Sequence, residues 1–281
     1  MKLIECPRDA MQGWHRLIST DEKVMYLNAL LKVGFHTLDF GSFVSPKAIP
    51  QMADTAEVIS RLEMNGSKSK LLAIVANQRG AEEAVVFDEI AYLGYPFSIS
   101  ETFQLRNTNK SIRESLELLD TLQELCIKNS KQLVVYISMG FGNPYGDPYD
   151  AAVALKWVDE LVQRDIQIIS LADTVGIADP GIISQLFSTL IPAYPSVEFG
   201  AHFHSAPHNW EEKVATAYNQ GCRRFDSAIK GIGGCPMAKD ELVGNLATER
   251  LLDFSVQRHE QLGLDFTALQ TALQIAESIF Y

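Results

Sequence analysis

Short apolar runs, rich in β-branched and aromatic residues, alternate along the chain with longer stretches whose apolar residues recur every three or four positions. The short runs predict strands at 2–6, 36–40, 71–75, 96–100, 132–138, 166–171, 197–203 and 224–227. The longer stretches predict helices at 21–33, 50–63, 81–92, 110–130, 148–164, 180–193 and 210–220. Asp21, Asp150 and Asp179, with prolines nearby, stand where helices start, and Gly34, Gly94 and Gly221 where three of them stop.

Strands that alternate with helices are joined by crossovers, so neighbouring strands run parallel. Eight such strands without a long linker fit one (β/α)8 TIM barrel, an α/β fold, better than two open sheets. A doubly wound sheet would call for a Gly-rich turn after the first strand, and none is present. From about residue 249 the pattern is helical. The expectation is a single catalytic domain over 1–281, with the barrel over 2–254 and extra C-terminal helices over 255–281.

Composition narrows the function. Apolar residues make up 47% of the 281 positions and charged ones 21%, enough for a sizeable core. A net charge of −11 argues against nucleic acid as a partner, which needs a basic face. Cys6, Cys126, Cys222 and Cys235 are dispersed, as reduced thiols are, and no apolar run reaches the ~20 residues of a membrane span. With residues 3–6 read as a core strand, no removable targeting segment is expected, and a cytoplasmic location follows.

The chemistry gathers at the strand ends. In Gly200-Ala201-His202-Phe203-His204, two imidazoles leave one face of an extended strand and can reach a single ion. A barrel places its site at the C-terminal ends of its strands. Those ends carry Arg8 and Asp9, Asp39 and Ser42, Asn77, Glu101, Ser138, Asp173, the two histidines and Asp226. A Gly-rich loop at 231–234, Cys235 and Asn245 follow. Singly, each has a structural alternative: a surface ion pair for Arg8 and Asp9, helix caps for Glu101 and Asp173, a tight turn for the glycines, an inert thiol for Cys235. Jointly, those alternatives would have to fall on one rim by coincidence. Asp9, His202, His204 and Asn245 form a mixed N/O shell that favours Mg²⁺ or Mn²⁺ over Zn²⁺ as cofactor. Such an ion acts as a Lewis acid, and Arg8 can stabilise a developing oxyanion beside it.

These residues also match a family pattern. Pro7-Arg8-Asp9-Ala10-Met11-Gln12 resembles the Pro-Arg-Asp-Gly-x-Gln motif of the 3-hydroxy-3-methylglutaryl-CoA lyases, TIM-barrel metallolyases. The resemblance continues at Ser42-Phe43-Val44-Ser45-Pro46-Lys47, Asp173-Thr174-Val175-Gly176, His202-x-His204, Gly231-Ile232-Gly233-Gly234-Cys235-Pro236 and Gly244-Asn245-Leu246-Ala247-Thr248-Glu249. It implies that Asp9, His202, His204 and Asn245 bind the cation and that Arg8 stabilises the enolate of departing acetyl-CoA. It assigns catalytic or supporting roles to Asp39, Cys235, Asp173 and Glu249, with Gln12, Ser42 and Ser138 joining Arg8 at the substrate. The implied reaction is a retro-Claisen cleavage of an acyl-CoA substrate to acetoacetate and acetyl-CoA, by a homodimer.

The chain departs from the pattern in places. Asp39 stands for a glutamate, Ser205 for an aspartate, Gly13-Trp14 for Asn-Glu, Ala10 for glycine and Asn143 for a common cysteine. These changes cluster around the expected pocket and leave the metal shell intact. Two other readings accompany the lyase: a Claisen condensation on an α-keto acid, and a barrel that binds metal and acyl-CoA with little turnover.

Overall fold

The structure is a computed structural model and describes residues 1–234 and 244–281. Eight parallel strands close into a barrel in chain order: β1 Lys2–Glu5, β2 Thr37–Ser42, β3 Lys70–Ile74, β4 Ile90–Ser98, β5 Gln132–Ser138, β6 Ile168–Asp173, β7 Glu198–Phe203 and β8 Arg224–Ser227. The helices are α1 Pro7–Gln12, α2 Thr20–Val33, α3 Thr55–Ser60, α4 Gln78–Ala84, α5 Glu101–Thr108, α6 Ile112–Lys128, α7 Ala151–Val162, α8 Pro180–Ala193, α9 Trp210–Asn219, α10 Thr248–Gln257 and α11 Phe266–Phe280. The expected TIM barrel with extra C-terminal helices is therefore present, and α11 packs on α2. No helix among the described residues is long and apolar enough to cross a membrane.

Local signals explain most boundaries. Asp150 and Asp179 cap α7 and α8 through their carboxylates, as expected. Asp21 instead lies in the first turn of α2, whose cap is Ser19 in a capping box with Glu22. Gly34 ends α2 at φ 84°, in the left-handed region that favours glycine.

Other expectations need correction. The helix expected at 81–92 ends at Ala84, and the strand expected at 96–100 begins at Ile90. Gly94 is thus no helix stop but lies within β4, where a Cβ would come 2.5 Å from Ile74 Cδ1 and 3.2 Å from Tyr136 Cε2. Packing inside the barrel, rather than turn geometry, calls for this glycine. The helix expected at 50–63 divides into a 3-10 turn, Pro50–Met52, and α3. That expected at 110–130 starts at Ile112, behind α5. Both α1 and α5 are short, and their polar faces masked them in the periodicity.

Two apolar regions hold the architecture. Outward residues such as Leu38, Phe40, Leu93, Phe97 and Ile169 pack under the helices. Leu72, Tyr92, Val134, Tyr136 and Ile168 form a separate cluster with Ile74. Beside them, Glu5 at the end of β1 is fully buried and joins three segments. It accepts hydrogen bonds from Ile229 N at 2.9 Å and Thr248 Oγ1 at 2.5 Å, tying the turn after β8 and the start of α10 to the first strand.

Burial pushes the Glu5 carboxyl up from 4.5 to about 8, against both hydrogen bonds. Folded Glu5 therefore keeps its proton where the unfolded chain has lost it, so its contribution to stability is full below about pH 4.5 and falls as pH rises toward 8. Glu5→Gln, which keeps the shape, accepts from Ile229 N through its amide oxygen and donates from its amide nitrogen to Thr248 Oγ1, should flatten this dependence. Urea unfolding between pH 5 and 8 measures it, and equal slopes for the two proteins would contradict it.

Candidate active site

The first βα connection brings the acidic and basic groups together. Pro7 at the first position of α1 starts a helix directly after β1, so that Arg8, Asp9 and Gln12 turn over the barrel mouth. Arg8 Nε lies 3.2 and 3.1 Å from the two carboxylate oxygens of Asp39, and Nη2 lies 2.5 Å from Oδ2. Its Nη1 reaches Asp9 Oδ1 at 3.0 Å, which also accepts from Gln12 Nε2 at 2.8 Å. A register shift in β2 follows Asp39, a bulge of the kind that re-aims side chains beside active sites.

The neighbouring charges tune these carboxyls in opposite senses. Burial works to raise Asp9, but Arg8, the two histidines and the Asn245 bond outweigh it and hold the group at about 2. Asp39 is pushed up to about 6 by burial, with Asp9 and Asp226 adding to the effect and Arg8 opposing it.

The histidines arrive from β7 and the segment after it, two residues apart on one face, with ring centroids 5.3 Å apart. His204 Nδ1 lies 2.9 Å from the carbonyl oxygen of Thr174. A carbonyl can only accept, so Nδ1 carries the proton and Nε2 keeps its lone pair. Burial and the charge of His202 hold His204 down to about 4, so it is neutral at pH 7. His202 Nδ1 lies 3.0 Å from Asp226 Oδ2. Burial disfavours its charged form, but the Asp226 hydrogen bond and charge win and shift His202 upward.

Asp9, His202 and His204 present ligand atoms within 4.8 Å of one another. Asn245 Nδ2 donates to Asp9 Oδ2 at 2.7 Å and to Ile232 O at 2.9 Å, which leaves the amide oxygen as its ligand atom. One carboxylate, two imidazoles held by their far nitrogens and one amide oxygen suit a divalent cation.

A cavity of about 500 Å³ opens on this group, lined by Arg8, Asp9, Gln12, Asp39, Ser138, His202 and His204. Three expected site residues lie elsewhere. Ser42 is buried and is not part of the cavity wall; its N–H meets Thr55 Oγ1. Asp173 pairs with buried Lys213 at 2.6 Å and accepts from Ala178 N, a structural role that draws its carboxylate off the cavity. Glu249 accepts from Lys230 N at 3.0 Å and so holds the turn after β8. Cys235 lies outside the described residues.

The sequence reading missed part of the wall. Arg106, Asn107, Thr108, Asn109 and Lys110, from the end of α5 and the turn after it, line one side with Phe103, and Tyr136 and Thr174 line another. The signal was available in Arg106 and Lys110, two cations flanking three polar residues, but α5 itself went unrecognised. Lys213 was also missed. Its Nζ donates to Asp173, to Gly176 O at 2.8 Å and to His204 O at 3.0 Å, bracing the backbone of a histidine of the site. Of the other departures, Trp14 packs on Phe280 from α11, and Asn143 organises its own loop by accepting from Tyr145 N and Asp147 N.

Comparison with known proteins identifies the family. The HMGL-like family model matches residues 3–276. The chain is 30% identical over 249 residues to a hydroxymethylglutaryl-CoA lyase of Bacillus subtilis, covering 88% of this chain and 81% of that protein. It is 31% identical over 277 residues to a 3-hydroxy-3-isohexenylglutaryl-CoA/hydroxymethylglutaryl-CoA lyase of Pseudomonas aeruginosa, covering 98% and 91%. Among solved structures, the Acinetobacter baumannii lyase in complex with coenzyme A and 3-methylmalate superposes with a TM-score of 0.91 at 28% identity, covering 100% of this chain and 91% of that one. The chain belongs to the HMGL-like family and is a lyase of the hydroxymethylglutaryl-CoA lyase type.

Proposed function

We propose that this lyase cleaves 3-hydroxy-3-methylglutaryl-CoA, or a related 3-hydroxyacyl-CoA, to acetoacetate and acetyl-CoA with Mg²⁺ or Mn²⁺ as cofactor. The observation that supports it most is the convergence of Asp9, His202 and His204 within 4.8 Å, beside the guanidinium of Arg8, in one cavity. Asp9, His202, His204 and Asn245 would hold the cation. When bound, it supplies Lewis acidity that lowers the pKa of a substrate hydroxyl and orients it.

The chain's own groups carry the remaining work. Asp39 faces the cavity, and its carboxyl, raised to about 6, can receive the proton of the substrate's C3 hydroxyl near neutral pH. As that proton leaves, the C3–O bond becomes a carbonyl and the C2–C3 pair moves onto C2, giving acetoacetate and the enolate of acetyl-CoA. Arg8, permanently charged and aimed by Asp9 and Asp39, stabilises the enolate oxygen until C2 is protonated. Gln12 and Ser138, which line the cavity, bind polar groups of the acyl chain, and Cys235 assists proton transfer as the family resemblance implies. At the cavity edge, Arg106 and Lys110 suit the phosphates of the CoA moiety, and apolar Val44, Ile49 and Ile74 suit its thioester arm. A homodimer in the cytoplasm completes the proposal.

The direct test is to incubate the protein with 3-hydroxy-3-methylglutaryl-CoA and quantify acetoacetate. Product should require Mg²⁺ or Mn²⁺ and vanish with EDTA; metal-independent cleavage, or none with cation bound, would overturn the assignment. Asp9→Asn and His204→Ala should abolish both cation binding, read by isothermal titration, and turnover, with circular dichroism unchanged. Arg8→Gln should lower kcat by about 10²–10³-fold, the usual effect of removing an oxyanion donor. The double variant Arg106→Ala/Lys110→Ala should raise KM and leave kcat nearly unchanged, as loss of uniform binding does.

A further inference from the structure

The side of the cavity that carries Arg106 is shaped by two segments distant in sequence. The first is the end of α5, whose last turn passes through Asn109, in the left-handed conformation at φ 56°, to Lys110. The second is the loop between β5 and α7. Asn143 shapes that loop: its Oδ1 accepts from Tyr145 N at 3.0 Å and Asp147 N at 3.1 Å, and its Nδ2 donates to Asp147 O at 3.0 Å. Asp147 in turn holds the start of α5, accepting from Ser100 Oγ at 2.5 Å, Thr102 N at 2.9 Å and Thr102 Oγ1 at 2.8 Å. Between these anchors, the Tyr145 ring lies near-parallel to that of Phe103, with centroids 6.3 Å apart and planes within 16°. The Arg106 guanidinium carbon stands 4.5 Å from the centroid of the same Tyr145 ring.

Arg106 is exposed and makes no hydrogen bond or ion pair among the described residues, so the Tyr145 ring is what fixes its direction. Asp147, the acid of this loop, has both oxygens taken by Ser100 and Thr102 and does not pair with the guanidinium. A guanidinium lying over a ring engages it through its charge and its flat face, which leaves the N–H donors at its edge for an anion. Phosphate oxygens suit those donors, which can take them two at a time. An unsupported arginine also keeps rotamer freedom that a ligand must remove, at a cost in affinity, and a ring that already holds the side chain lowers that cost.

We propose that Tyr145 is a positioning residue for the nucleotide end of the acyl-CoA. It aims Arg106 at a phosphoryl group of CoA, while Asn143 and Asp147 fix Tyr145 beside α5. Asn143, a position where the chain departs from the family pattern, thereby serves the cavity edge through Arg106 rather than the reacting carbon. The inference rests on the reading of Arg106 as a phosphate contact of CoA.

Isothermal titration of coenzyme A into the wild-type protein, Tyr145→Leu, Tyr145→Phe, Arg106→Ala and Tyr145→Leu/Arg106→Ala provides the test. None of these titrations needs turnover, so they are read separately from the cleavage assay. Tyr145→Leu should raise the dissociation constant about 2–5-fold, the range a cation–π contact at an exposed site supports. Tyr145→Phe keeps the aromatic face and loses a hydroxyl that makes no hydrogen bond among the described residues, so it should bind as the wild type does. In the Arg106→Ala background, Tyr145→Leu should bring no further loss, because the side chain it acts through is gone. Unchanged affinity in Tyr145→Leu, with Arg106→Ala weakened, would overturn the proposal alone. So would a full additional loss in the double variant, or weak binding by Tyr145→Phe. If Arg106→Ala binds coenzyme A as tightly as the wild type, the phosphate reading of Arg106 falls and the proposal with it. Should Tyr145→Leu fail to fold by circular dichroism, Asn143→Ala decides in its place: it should weaken coenzyme A binding only while Arg106 is present, and unchanged binding would overturn the proposal.

Discussion

Two carboxylates, Asp9 and Asp39, are buried at the barrel mouth around one guanidinium, and the rest of the site depends on that contact. Neither acid could be ionised there alone, because desolvation would neutralise it. Arg8 satisfies both, yet unequally: it holds Asp9 ionised at about 2 and leaves Asp39 at about 6. One acid is thereby suited to a cation and the other to a proton. The same contact fixes the direction of the guanidinium, since its Nε edge is taken by Asp39 and its Nη1 by Asp9.

The strands supply the second half of the arrangement. Side chains two residues apart share a face, which aims His202 and His204 together. Their far nitrogens are held by different partners, a carboxylate for His202 and a backbone carbonyl for His204. The first partner raises the affinity of its ring for protons, while burial lowers that of the second. Lys213 reaches across from α9 to brace the backbone at His204 and the loop after β6 with one ammonium group. Its pairing with Asp173 holds that carboxylate away from the cavity wall.

The fold was readable because the alternation of periods is a local property. Seven of the eight strand readings fall within two residues of the observed strands at both ends, and two of those, at 132–138 and 224–227, coincide with them. The fourth strand was misplaced because Gly94 reads as punctuation, when it serves the packing of Ile74 and Tyr136 across the barrel. Helices α1 and α5 were missed because each is too short for a periodic pattern to show.

Sequence alone made the barrel legible, with polar groups at its strand ends and His202 and His204 on one face, because spacing along strands and turns is written in the chain. Tertiary structure decided which acidic groups face the cavity. Asp39 turns in behind a bulge, while Asp173 and Glu249 turn away to Lys213 and Lys230 N. It also decided that Arg106 and Lys110 reach the cavity and that Tyr145, from the loop after β5, lies against Arg106. Those outcomes rest on contacts between residues far apart in the chain, set by strand register and by competition among buried charges, and no local pattern encodes them.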